Sequence, residues 1–190
     1  MILIDDDMTK VTEREVKRLF QTVDAQRQEE ALRYRHMFGQ YCCLRSWEML
    51  RELLQRLGIE HMREWRYNEY GKPYLKEGPY FSISHCKNAI AVAVCEQEVG
   101  IDIESIRKAD EALVERTMNR VEQEQIARAA SADEAFTALW TRKEAVLKMR
   151  GTGILDDLHE VLTTPSDDYT LETNFRTDKG YIYSIAIKKA

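Results

Sequence analysis

A stretch with helical periodicity followed by a pair of alternating segments occurs twice along the chain, and no linker separates the two occurrences. The first occupies residues 1 to about 98 and the second about 99 to 190, with a similarity of pattern rather than of residue identity. The chain of 190 residues is 44% hydrophobic, which is enough to bury a sizeable core. We therefore predict an α+β fold with pseudo-two-fold symmetry, in which two similar halves pack as one domain spanning residues 1–190.

The individual elements follow from residue spacing and from the positions of Gly and Pro. Helical spacing is found in three segments: residues 10–57, residues 110–130, and Glu134–Met149, which Gly151 should end. Alternation predicts strands at Phe81–His85, residues 90–95, Val99–Glu104, Tyr169–Phe175 and Tyr181–Ile187. The first two strands and the last two are each close enough in sequence to form a hairpin.

Composition and charge exclude several classes of protein. The net charge of -5 argues against a nucleic-acid coat, and no apolar run approaches the roughly 20 residues that span a bilayer. The sequence Met1–Asp7 does not resemble a signal peptide, so we expect a cytoplasmic protein with reduced cysteines. A zinc site of His85, Cys86 and Cys95 fits no standard ligand spacing, and buried structural cysteine is the simpler interpretation.

The strand Val99–Glu104 places acidic side chains together. Gly100, Asp102 and Glu104 share one face, where the glycine leaves room for something to approach. Two neighbouring carboxylates repel each other unless a cation lies between them, and Mg²⁺ prefers such oxygen ligands. The alternative is an ordinary strand with one solvated face.

The helix Glu134–Met149 carries charged residues beside its apolar face. Glu144 and Lys148 are four residues apart and are therefore neighbours. Lys143 falls within the apolar arc, which suggests that an anionic ligand lies nearby. The alternative is a solvated surface pair worth about 0.3–0.5 kcal/mol.

Four motifs follow one another in an order and spacing that identify a family. They are Gly71–Pro73, Phe81–His85, Val99–Glu104 and Trp140–Lys148. Together they resemble the G-K-P turn, the I-S-H strand end, the G-[IV]-D-x-E strand and the W-[ST]-x-K-E-[AS]-x-x-K helix of 4'-phosphopantetheinyl transferases of the Sfp (surfactin-synthetase-activating) type. Cys86 departs from the serine that often follows the histidine in that family.

The resemblance implies a reaction, a metal and roles for the acidic motif. Such enzymes transfer the phosphopantetheine arm of coenzyme A to a serine of an apo acyl or peptidyl carrier protein and release 3',5'-ADP. It implies a Mg²⁺ site, with Mn²⁺ as a substitute, formed by Asp102, Glu104 and Glu144. Glu144 would also accept the serine proton, directly or through a metal-bound water, while Lys148 would hold the pyrophosphate and offset developing charge.

The resemblance also implies which residues contact coenzyme A. They are Lys72 and Pro73 near the nucleotide, Ser84 and His85 at the phosphates, and Lys148 at the pyrophosphate. Arg33, Arg35 and Arg45 are candidates for further phosphate contacts. The cleft between the two halves is where these residues would meet.

Two other function classes remain open at this level. A non-catalytic protein that binds coenzyme A or a carrier would not need Asp102, Glu104, Glu144 and Lys148 together. A Mg²⁺-dependent phosphoesterase would leave the G-K-P and I-S-H motifs unexplained. We expect a monomer that binds neither nucleic acid nor membrane. We do not expect carrier docking on the acidic segment 96–134.

Overall fold

The computed structural model describes residues 1–61, 64–153, 157–163 and 167–190. In the first half the elements are β1 Ile2–Asp5, α1 Glu13–Phe20, α2 Ala25–Leu32, α3 Met37–Arg56, β2 Trp65–Tyr67, β3 Pro73–Leu75, β4 Tyr80–His85 and β5 Ile90–Cys95. In the second half they are β6 Val99–Ser105, α4 Glu111–Thr117, α5 Arg120–Arg128, α6 Ala132–Arg150, β7 Tyr169–Arg176 and β8 Tyr181–Lys188. The predicted combination of helices with antiparallel hairpins is confirmed.

The two three-stranded sheets have the same arrangement of strands. Their orders are β1-β5-β4 and β6-β8-β7, and every pair is antiparallel. In each sheet the strand that opens the half lies on one edge, and the last strand of the closing hairpin lies in the middle. A small β2-β3 hairpin is inserted between α3 and β4.

The sheets meet where β4 lies against β6, and two serine hydroxyls join the strands. Ser82 Oγ accepts a hydrogen bond from the Ile101 N–H at 3.1 Å, and Ser84 Oγ accepts one from the Ile103 N–H at 3.3 Å. Both serines are buried, so these bonds satisfy amide groups that would otherwise be costly to bury. The contact places the end of β4 beside the acidic face of β6.

Helix α6 begins and ends as its sequence predicts. The Ser131 side chain accepts a hydrogen bond from the Glu134 N–H, and Gly151 ends the helix in the left-handed conformation at φ 74°. The helix packs along β6 and β8. No helix in the described ranges is sufficiently long and apolar to cross a membrane.

The first half has its own apolar core around α3. Leu44, Trp47, Leu50 and Leu54, which share one helical face, are all buried. Strands β4 and β5 complete this core on the side nearer to β6. The first sheet therefore has a packed support directly behind the residues that face the second half.

Candidate active site

Ser84 and Asp102 come together where β4 meets β6. The Ser84 hydroxyl donates to Asp102 Oδ1 at 2.8 Å, and both residues are buried. The predicted I-S-H strand end and the acidic strand therefore form one site, although they are 18 positions apart in the chain.

Helix α6 adds Lys148 to this pair. The Lys148 ammonium donates to Asp102 Oδ1 at 2.6 Å and to Ser84 Oγ at 2.9 Å. The alternative of a solvated surface pair with Glu144 therefore does not describe Lys148, which bonds to buried groups on β4 and β6. Lys148 is the counter-ion of Asp102, which is buried on strand β6.

Gly100 allows α6 to lie close enough for this contact. A Cβ atom on Gly100 would lie 2.0 Å from the Ala145 carbonyl oxygen and 2.3 Å from the Met149 nitrogen. The space left by this glycine is occupied by the backbone of α6, whereas the sequence alone also allowed a ligand there. This direct backbone contact between β6 and α6 fixes the positions of Glu144 and Lys148 relative to Asp102.

The three predicted metal ligands influence one another electrostatically. Burial and the nearby charge of Asp102 raise the pKa of Glu104 and the pKa of Glu144 above their usual values. Within the described residues, Asp102 Oδ2 and Glu144 Oε1 are buried without a hydrogen-bond partner. No three His, Cys, Asp or Glu side chains in that same part of the chain are close enough to enclose a metal ion. The unpartnered carboxylate oxygens are nonetheless the donors that a hard divalent cation requires.

Arg107 is a further charged residue of this site, and it was not among the predicted site residues. Its guanidinium lies 4.8 Å from the ring centroid of Trp140 and 5.3 Å from that of Phe136. The positive charge lowers the pKa of Glu104 and of Glu144, opposing the effect of burial. The sequence does contain a signal for Arg107. It is a basic residue three positions after Glu104, and α6 carries two aromatic residues one turn apart on which a guanidinium can stack.

His85 lies beside the serine but faces outward. Its ring makes an edge contact with Phe38, with 6.3 Å between centroids, and the side chain remains exposed to solvent. The pKa of His85 lies below its usual value because the surrounding protein partly desolvates the ring and because Lys148 and Arg27 are positively charged. His85 therefore lies at the outer end of β4, next to Ser84, where its ring is accessible to a ligand.

The arginine candidates separate into exposed and internal residues. Arg33 and Arg35 are exposed and form no ion pair within the described ranges. Arg45 is committed to Asp5, Glu48 and Glu52 at 2.7–2.8 Å. Only the first two are therefore available to a ligand.

The G-K-P turn and α6 enclose a pocket of about 290 Å³. Pro73 lines one wall, and Glu144 and Lys148 line the other. The Lys72 ammonium does not point freely into this space, because it donates to the carbonyl oxygens of Val99 and Met149 at 3.1 and 3.3 Å. Burial lowers the pKa of Lys72 to about 8.

The suggestion that Lys143 marks an anionic ligand was wrong. Its side chain is fully buried, and its ammonium donates to Glu122 Oε2 at 2.6 Å and to the carbonyl oxygens of Thr117 and Leu158. Helical periodicity could not reveal this partner, because Glu122 lies on another helix. Lys143 fastens α5 to α6.

Comparison with known proteins is consistent with this arrangement. The family model of the 4'-phosphopantetheinyl transferase superfamily matches residues 98–188, which include β6 and α6. The chain is 31% identical over 140 residues to the 4'-phosphopantetheinyl transferase gsp of Aneurinibacillus migulanus, a match that covers 72% of this chain and 59% of that protein. The chain belongs to the 4'-phosphopantetheinyl transferase superfamily.

Two other relatives carry the same family description. The 4'-phosphopantetheinyl transferase psf-1 of Bacillus pumilus is 28% identical over 165 residues, or 84% of this chain and 71% of the relative. The 4'-phosphopantetheinyl transferase AcpT of Salmonella typhimurium is 35% identical over 113 residues, or 56% of this chain and 58% of the relative. These matches thus span between about three fifths and seven tenths of the relatives' lengths.

Proposed function

We propose that this protein transfers the 4'-phosphopantetheine arm of coenzyme A to a serine hydroxyl of an apo acyl or peptidyl carrier protein. The observation that carries the proposal is that Glu144 and Lys148 line the pocket while Lys148 donates to the buried carboxylate of Asp102. A binding protein needs cations for the phosphates, but it has no use for unpartnered buried carboxylates. Family membership and the names of the three relatives support the same reaction.

The reaction joins the serine oxygen to the phosphorus that bears the pantetheine arm. The bond from that phosphorus to the bridging oxygen of the pyrophosphate breaks, and 3',5'-ADP leaves with the bonding electrons. Glu144 is the group that accepts the serine proton, because one of its oxygens is free and burial has raised its basicity. Lys148 lies one helical turn away and offsets the negative charge that develops on the leaving phosphate.

We propose Asp102, Glu104 and Glu144 as the residues that hold Mg²⁺, or Mn²⁺ in its place. The unpartnered oxygens of Asp102 and Glu144 support this assignment. When bound, the ion would neutralise pyrophosphate charge. Without it, the carboxylates rely on Lys148 and Arg107 as counter-charges.

We propose that the coenzyme A nucleotide lies against the turn that contains Lys72 and Pro73, with its phosphates near Ser84 and His85. Arg33 and Arg35 are the exposed cations that we assign to the phosphates from the first half. His85→Ala should therefore weaken the binding of coenzyme A, measured by calorimetry, by about tenfold if the contact is direct. The same substitution should cost little with dephospho-coenzyme A if His85 contacts the 3'-phosphate.

We also propose that the two halves, residues 1–98 and 99–190, are related by a pseudo-two-fold axis within one domain. The shared strand order of the two sheets supports this symmetry. We further propose a monomer acting in the cytoplasm on coenzyme A and a carrier protein, with no role for nucleic acid or membrane. The site draws on both halves of one chain, and the four free cysteines fit a reducing compartment.

The proposal is tested with coenzyme A that carries a fluorescent group on its thiol. The protein is incubated with this substrate and several apo carrier proteins, and labelled carriers are detected after denaturing electrophoresis. Labelling of at least one carrier at its modified serine is expected. Tight binding of coenzyme A with no labelling of any carrier would favour the non-catalytic binding protein.

A further inference from the structure

The Lys72 side chain connects the two elements that carry the proposed active site. Its ammonium donates to the carbonyl oxygen of Val99, the first residue of β6, and to that of Met149, in the last turn of α6. The ammonium therefore bridges the strand of Asp102 and the helix of Glu144 and Lys148.

A second residue of the same turn holds the end of α6. Asn68 Nδ2 donates to the Gly151 carbonyl oxygen at 2.8 Å. Asn68 Oδ1 accepts from the backbone N–H groups of Tyr70 and Lys72, which fixes the shape of the turn. We call residues 68–72 the clamp turn.

The clamp turn supplies what the end of a helix lacks. The last four carbonyl groups of an α-helix have no partner within the helix, and a positive charge is favourable there because of the helix dipole. The Lys72 ammonium and the Asn68 amide fill this role for Met149 and Gly151. The turn thus stabilises the last turn of α6, directly beyond Lys148.

We propose that Lys72 is a positioning residue that holds the C-terminal turn of α6 against β6, so that Glu144 and Lys148 keep their places beside Asp102. This inference rests on the proposed function for its catalytic consequence. In this role the nucleotide lies against the turn but not against the Lys72 ammonium, whereas the family resemblance implies that Lys72 itself contacts coenzyme A. The two roles predict different kinetic effects.

Lys72→Met keeps the length of the aliphatic stem and removes the donor. Lys76→Met is the matched control, because Lys76 directly follows strand β3 of the same hairpin, is exposed, and forms an ion pair with Glu64. If Lys72 positions α6, Lys72→Met should lower kcat about tenfold and change KM for coenzyme A less than twofold. Lys72→Arg, which keeps the positive charge and donors, should restore part of kcat.

Hydrogen exchange tests the structural claim without relying on activity. Amides in the last turns of α6 should exchange about tenfold faster in Lys72→Met than in the unsubstituted protein, with Lys76→Met unchanged. Should Lys72→Met fail to fold, the same comparison is made with Lys72→Arg, in which a smaller increase is expected.

Unchanged exchange in α6 would overturn the inference, as would an increase in KM with normal kcat. A protein that transfers no phosphopantetheine at all would instead refute the proposed function. In that case the exchange measurement still decides whether Lys72 clamps the helix.

Discussion

Gly100→Ala tests the backbone contact on which the geometry of the site depends. The added Cβ would lie 2.0 Å from the Ala145 carbonyl oxygen, whereas ordinary contacts of a Cβ begin at 3.4 Å. The backbone of α6 cannot rotate away as a side chain can, so α6 must move away from β6 by about 1.4 Å. Displacing catalytic groups by about 1 Å lowers the rate roughly 100-fold. Overpacking of this kind also destabilises a fold by about 1–3 kcal/mol.

Gly39→Ala is the matched control for this substitution. Its Cβ would lie 2.5 Å from Cδ1 and 3.1 Å from Cβ of Tyr34; the exposed ring can rotate away, and Tyr34 Cβ needs to shift by only a few tenths of an ångström. Because Gly39 lies within α3, the better helix propensity of alanine, about 0.5–1 kcal/mol, should offset this shift and leave stability nearly unchanged.

Urea unfolding and carrier modification are measured for both variants. Gly100→Ala should lose stability and almost all transfer activity, while Gly39→Ala keeps both. A Gly100→Ala protein with normal stability and a normal rate would refute the claim that direct contact between β6 and α6 sets the site.

Two further substitutions and the effect of pH separate the roles of the charged groups. Glu144→Gln should fold normally, bind coenzyme A with modest loss and transfer almost nothing, whereas Lys148→Ala should retain residual turnover; both are measured by steady-state kinetics. The pKa of Glu144 is raised in the folded state, so the folded protein binds this proton more tightly than the unfolded chain does. The resulting contribution to the free energy of unfolding is fully present below the usual carboxyl pKa and is lost as pH rises through the raised pKa. Each unit by which the pKa is raised corresponds to about 1.4 kcal/mol. Glu144→Gln should therefore raise Tm at pH 7 and leave it unchanged near pH 3, and equal Tm differences at both pH values would contradict this electrostatic account.

Elements with strong local signals could be predicted from the sequence. Helix α6 has a serine cap, an apolar arc and a terminal glycine, and the structure extends the predicted range by only two residues at its start and one at its end. The hairpin of β4 and β5 alternates clearly and has a short connection. Strand β1 was missed because its four residues pair with β5, about 90 positions away, and local periodicity does not report such a partner.

The residue types of the site were predictable, but the contacts between them were not. The acidic strand predicted a cation site, and the charged helix predicted a nearby anionic ligand. The order and spacing of the four motifs resembled one enzyme family. The ion pair of Lys148 with Asp102, and the attachment of Lys72 to two carbonyl groups, depend on how α6 lies on β6. Residue spacing predicts which side chains are neighbours within one helix or strand, and it does not predict contacts between different elements.

The intact mass of an apo carrier protein after incubation with coenzyme A and Mg²⁺ tests the central claim most directly. With the unsubstituted protein, the carrier should gain the mass of one phosphopantetheine group, and one 3',5'-ADP should appear per modified carrier. With Glu144→Gln, or with a chelator added, the carrier should keep its original mass. Modification at the normal rate by Glu144→Gln would contradict the assignment of Glu144 and, with it, the proposed mechanism.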